Sequence, residues 1–252
     1  MSKIVCRLTC IPLRKEPDHR AEQVSQILYG ETATMTEQTE KWLRIVMDFD
    51  GYTGWIENHS VYEYLPSGEN EKKHIINEPY TELLSTHLRI ILSAGSEIPF
   101  PDDYGRILIE QRDFYLSKSG ESSILPITEL ALKFINVPYQ WGGRTVFGMD
   151  CSGFIQILFK INGIPLPRDA KDQAVYGNEV PSYEEIQSGD LAFFTNEKGV
   201  ISHTGLCLEK NKIIHASKHV RVDRLDEKGI FNEELKAYTH QLGCIRRVIA
   251  GY

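Results

Sequence analysis

Nowhere in the 252 residues does an apolar run approach the roughly 20 positions that a bilayer-spanning helix requires. Blocks of five or more Lys or Arg are also missing, and 28 basic side chains stand against 35 acidic ones, a net charge of −7. Neither a membrane nor a nucleic acid is the expected partner of such a chain, whose surface should be soluble and mildly acidic. Cysteine is sparse: Cys6, Cys10, Cys151, Cys207 and Cys244 form no CxxC pair. That spacing argues against a zinc ribbon, a thioredoxin-like redox site or a disulfide framework. Cys6 and Cys10, four apart in strand-like sequence, read as two small buried residues on one side. The opening stretch MSKIVCRLTCIPLRKEPDHR lacks the long apolar region of a signal peptide. For a native start the expected compartment is cytoplasmic; with a leader removed it would be periplasmic or extracytoplasmic.

What is present is ordinary globular composition, 41% hydrophobic and 25% charged, in a length that allows one to three domains. Residues 1–66 read as short strands punctuated by turn signals at Tyr29-Gly30 and Asp50-Gly51, the pattern of a small β-barrel. The polar stretch PSGENEKKH (66–74) reads as a linker. Residues 75–125 repeat the strand-and-turn pattern around FPDDYG, which suggests a second small barrel. From 126 the pattern changes. Leu130, Phe134 and Ile135 keep helical spacing until Pro138, and DCSGFIQILFKING predicts a second helix closed by Gly163. The stretches DLAFF, SHTGLCLE, KIIHAS and HVRVD then predict hairpin-linked strands. Helices followed by such strands give an α+β fold with an antiparallel sheet for residues 126–252.

The second helix carries a thiol at its lip, Cys151, between Asp150 and Ser152. A structural cysteine usually lies inside an apolar pattern rather than at its edge. A helix N-terminus offers unpaired N–H groups and partial positive charge, so the position is expected to lower the thiol pKa and to supply oxyanion donors. A nucleophilic cysteine needs an imidazole close in space. His203 opens the strand HTGLCLE and His215 lies in the next strand-like stretch, so adjacent antiparallel strands can set the two rings side by side, the second fixing the tautomer of the first. His19, His59, His74 and His240 sit in loop-like or charged sequence and read as solvated or structural. Zinc between His215 and His219 is the competing reading, against which stand the strand-like sequence around them and the absence of HExxH.

In their order, PYQWGGRTVFGMDCSGF, LPRDAKDQ, SGDLAFF, ISHTGLCL and IIHAS resemble the NlpC/P60 family of papain-like cysteine peptidases over residues 126–252. The resemblance implies a triad of Cys151, His203 and His215, with Tyr139 near the oxyanion and with no metal or organic cofactor. The N-terminal YGE, KWLRIV and DGYTGWI stretches resemble bacterial SH3 (SH3b) domains. That combination is similar to the γ-D-glutamyl-L-diamino acid endopeptidases, which cut murein peptides bearing a free N-terminal L-Ala. It implies subsites lined by Asp150, Ser152, Arg168 and Asp169, with Tyr52 and Glu22 contributed by the first SH3b domain. Asp150 or Glu22 is then expected to meet the substrate ammonium, and Arg168 a carboxylate. The alternatives are a wall-peptide binding module without turnover and a thioester-forming acyltransferase.

Overall fold

The computed structural model describes residues 2–64, 73–118 and 125–249, and it divides into two compact units, 1–124 and 125–252. Most of the predicted linker, residues 66–72, lies outside the described residues; its last two positions, Lys73 and His74, begin a strand.

Seven antiparallel strands between Lys3 and Glu63 make one sheet of the N-terminal unit, around an apolar cluster that includes Ile11, Leu13, Ile27, Ile45 and Ile56. Cys6 ends the first strand and Cys10 begins the second, so the two thiols belong to different strands, one buried and one half-buried. That differs from the single strand-like segment predicted for them. The later strands, between Lys73 and Leu116, form smaller sheets around a second cluster that includes Leu83, Leu92, Ile107 and Phe114. Tyr29 from the first set joins that second cluster. Its neighbour Gly30 has φ +77°, and a Cβ there would fall 1.7 Å from the Glu97 carbonyl oxygen. Only glycine lets the two strand sets close at this point.

The C-terminal unit is organised by a seven-stranded antiparallel sheet. Its strands Leu191–Thr195, Ile201–Glu209, Lys212–Ser217 and His219–Asp226 fall where the sequence placed them. The Ala237–Arg247 strand, not foreseen, pairs with Leu191–Thr195 and with Gly229–Asn232. Helix α1 (Ile127–Leu132) is shorter than the periodicity predicts. The chain turns at 133–136, with Asn136 at φ 70° and Ile135 exposed, so Pro138 does not stop a helix. Helix α2 (Cys151–Ile161) is buried along its whole length, its polar Gln156 included, which donates to the Leu166 carbonyl at 3.0 Å. Helix α3 (Ala170–Gln173) is a single turn. With helices of 6, 11 and 4 residues among the described residues, the unit is sheet-dominated rather than an even α+β mixture. No helix among them is long and apolar enough to cross a membrane.

Candidate active site

Cys151 is the first residue of α2, and Asp150 is its N-cap, in extended conformation and accepting from the Gly153 N–H at 2.7 Å. Tight glycines make the approach possible. A Cβ on Gly153 would meet the Gly143 carbonyl oxygen at 2.3 Å, and Gly142 donates its N–H to Asp150 Oδ2 at 2.8 Å. The QWGG segment is thereby held against the start of α2. The backbone N–H groups of Thr204 and Ser152 point at the Cys151 sulfur, which brings the His203 strand to the thiol.

The helix end does not produce the lowered thiol pKa expected from it. Burial, followed by the Asp150 charge, pushes the Cys151 thiol up to about 12 against the opposing backbone N–H groups and Arg168. The resting sulfur is therefore a protonated thiol. Tyr139 is half-buried and its phenol is also pushed up to about 12, by burial and then by Cys151 and Asp150. It remains a hydrogen-bond donor at neutral pH.

His203 and His215 meet as the strand pairing predicts: His203 Nε2 lies 2.7 Å from His215 Nδ1, and both rings are buried. Gly205 makes room for this, since a Cβ there would stand 2.7 Å from Ile213 Cδ1 and 2.9 Å from His215 Cβ. Beyond the pair, His215 Nε2 is 3.0 Å from Asp223 Oδ2, and Arg221 Nη2 donates to Asp223 Oδ1 at 2.9 Å. Burial, then the charges of His215 and His240, hold His203 well below the ordinary imidazole range. His215 is lowered by burial, in part offset by its hydrogen bond to Asp223. Both rings are neutral at neutral pH.

His240, read from sequence as solvated or structural, instead stacks on His203, with ring centroids 4.1 Å apart and planes 25° from parallel. Burial, and then His215, lower it to about 4. Asp223 was missed because it stands diagonal to His215: the register pairs His215 with Arg221 and Ile213 with Asp223. Only the hairpin that turns at Lys218 (φ 63°) could have signalled it. The ring nitrogens of His203, His215 and His240 lie within 4.8 Å of one another. They nonetheless form a hydrogen-bonded pair under a stacked ring. Stacked rings direct their in-plane lone pairs past each other, whereas zinc needs them to converge at about 2.0 Å. His219, the other zinc candidate, lies on the next strand and not one helical turn from His215.

The expectation that Asp150 meets the substrate ammonium needs correcting. Arg168 is buried and grips Asp150 with both terminal nitrogens, at 2.9 and 2.6 Å, and donates to Ser152 Oγ at 2.9 Å. Asp150 already receives Gly142, Gly153 and Arg168. The Asp150 carboxylate is thereby fully taken up and is not left over for a substrate ammonium, and its pair with Arg168 fixes the start of α2. Asp169, half-buried at the N-cap of α3, stands beside this pair in sequence. Tyr52 and Glu22 belong to the N-terminal unit. Tyr52 packs on the first apolar cluster, and Glu22 is exposed near Lys15 at 3.6 Å.

A cysteine heading a buried helix, a strand histidine and a second histidine behind it coincide with a matched family profile. The NlpC/P60 family profile matches residues 136–239, which include all three. Residues 136–239 are an NlpC/P60 domain. A second profile, the bacterial dipeptidyl-peptidase SH3 domain, matches residues 13–61. The chain is 29% identical to the γ-D-glutamyl-L-lysine dipeptidyl-peptidase of Bacillus subtilis, over 77% of this chain and 72% of that protein. It is 26% identical to dipeptidyl-peptidase 6 of Lysinibacillus sphaericus, over 92% of this chain and 96% of that one. The crystal structure of an NlpC/P60 family protein from Bacillus cereus superposes with a TM-score of 0.83 at 20% identity, over 98% of this chain and 99% of that chain, a likeness of fold. The NlpC/P60 domain, with its thiol and imidazoles in place, makes the chain a cysteine peptidase.

Proposed function

We propose that this NlpC/P60 peptidase hydrolyses the bond between γ-D-Glu and a diamino acid in murein peptides that carry a free N-terminal L-Ala. The observation that carries the chemistry is the His203–His215 hydrogen bond of 2.7 Å on the strand whose backbone meets the Cys151 sulfur. The substrate class is supported by the relatives named for γ-D-glutamyl-L-lysine and dipeptidyl release.

Because thiol and imidazole both rest neutral, attack begins with proton transfer. His203 accepts the thiol proton as Cys151 adds to the γ-carbonyl, so that no free thiolate accumulates. The oxyanion faces the N-terminal N–H groups of α2 and the Tyr139 phenol. The imidazolium of His203 then protonates the departing diamino-acid amine, and water, activated by the same ring, hydrolyses the thioester. Asp169, at the N-cap of α3, is the residue of the C-terminal unit proposed for the substrate ammonium end.

The test compares L-Ala-γ-D-Glu-L-Lys with its N-acetylated form and identifies the products by mass. Release of L-Ala-γ-D-Glu, with kcat/KM at least tenfold higher for the free amine, is the expected result. An acid left facing an uncharged amide loses a charge-assisted partner, which is worth at least that factor. Comparable rates would remove the free-amine requirement. Transfer of the acyl group to an added amine in place of water would move the chain to the acyltransferases.

A further inference from the structure

The imidazole that takes the Cys151 proton must present an unprotonated nitrogen to the sulfur. A neutral imidazole carries its single proton on one nitrogen or the other, and the hydrogen bond at the far nitrogen decides which. Here the far end of the chain is Asp223. Burial works to raise its carboxyl, but hydrogen bonds from His215 and Arg221, with their charges, outweigh it and hold it below the ordinary range. An ionised carboxylate only accepts. At 3.0 Å from Asp223, His215 Nε2 must therefore carry the proton of that neutral ring. His215 Nδ1 is left as an acceptor, so at 2.7 Å His203 Nε2 must be the donor. The bare nitrogen of His203 is then Nδ1.

We propose that Asp223, which neither the family match nor the Cys–His–His reading assigns a part, is a positioning residue that sets the tautomers of both histidines and leaves His203 Nδ1 free as the base. Arg221 makes the setting one-way. Its Nη2 donates to Asp223 Oδ1 at 2.9 Å and its Nε lies 2.8 Å from Oδ2, so the carboxylate is held between a cation that only donates and a ring that has a choice. Asp223 is buried, which keeps water from substituting for it.

The inference rests on Cys151–His203 chemistry, so its test includes a reading that needs no turnover. In Asp223→Asn the amide oxygen keeps the hydrogen bond from Arg221 Nη2 at the Oδ1 position, so the NH2 takes the Oδ2 position 3.0 Å from His215 Nε2, donates to that ring and reverses both tautomers, placing a proton on His203 Nδ1. Long-range 1H–15N correlation of the histidine rings should show Nε2–H tautomers for His203 and His215 in the native enzyme and Nδ1–H tautomers in Asp223→Asn. With L-Ala-γ-D-Glu-L-Lys, kcat should fall by at least about a hundredfold while KM stays within about threefold, the pattern of a wrong tautomer with intact binding. Adding Arg221→Gln lets the Asn amide turn back and should restore part of kcat, a recovery that a merely structural ion pair would not give. Unchanged tautomers in Asp223→Asn, or kcat within threefold of the native value, would overturn the proposal. If the native enzyme leaves the tripeptide intact, the substrate reading fails while the ring spectra still decide the role of Asp223.

Discussion

At Cys151 the helix N-terminus and the burial of the sulfur pull in opposite directions, and burial wins: the thiol is pushed up to about 12 while His203 is pushed down. A thiolate–imidazolium pair would begin catalysis already ionised, whereas this site has its proton still to move. Proton transfer in the rate-determining attack should therefore give kcat/KM a normal solvent deuterium effect of about twofold, where a pre-ionised pair would give none. The sign of the pH dependence follows from the same groups. The competent form has neutral thiol and neutral imidazole, so activity should fall only on acidification below the ordinary histidine range and stay flat far into alkali. An acid limb centred above pH 6.5, or the lack of an isotope effect, would require the ion pair. Cys151→Ala and His203→Ala should each abolish turnover with the fold intact, and His215→Ala should leave a residual rate because it acts through His203.

Among the elements, α2 and the strands on either side of the His203–His215 pair were legible because each carries its own signal. Apolar spacing at Phe154, Ile155, Leu158 and Ile161 marks a helix wherever it packs, and β-rich stretches bounded by turns mark strands. Asp223 and His240 were not legible because their places depend on register and on a strand, Ala237–Arg247, whose polar run of Tyr, Thr, His and Gln hides its pairing. Asp150 was recognised as belonging to the site but misread, since sequence does not show that the Arg168 guanidinium will satisfy it. Their pairing makes a prediction about the helix start. Asp150→Ala removes an N-cap and strands a buried guanidinium, a loss on the order of 3–5 kcal/mol. Thermal unfolding of the C-terminal unit should shift down by many degrees, and a shift of less than about 2 °C would show the pair to be dispensable. Gly205→Ala should be milder for the fold, about 1–3 kcal/mol, because Ile213 can yield. It should cost kcat more than KM, since the Cβ displaces His215.

For the molecule as a whole, the same histidines bind its stability to pH. In the site His203, His215 and His240 are all held below the ordinary range, chiefly by burial, His240 at about 4, and His74 of the N-terminal unit is lowered by burial as well. In the unfolded chain each takes up a proton near pH 6.5, while the folded chain does not until a lower pH. Between those values the unfolded state binds more protons, so folding stability falls as the pH drops below about 6.5, by at most about 1.4 kcal/mol per pH unit for each ring. Asp223 acts later in the same direction: its lowered carboxyl contributes stability above the unfolded value near 3.9 and loses it as the pH falls further. The seven excess negative charges of the chain do not reverse this, since acid neutralises them in both states. Melting temperatures measured from pH 8 to pH 5 should accordingly stay level to about 6.5 and then decline. His240→Phe preserves a ring to stack on His203 and removes one of these titrating groups, so its decline should be shallower than that of the native protein. A melting temperature that is flat to pH 5, or a His240→Phe variant that declines as steeply as the native chain, would show that the histidine cluster is protonated in the fold and does not govern its acid stability.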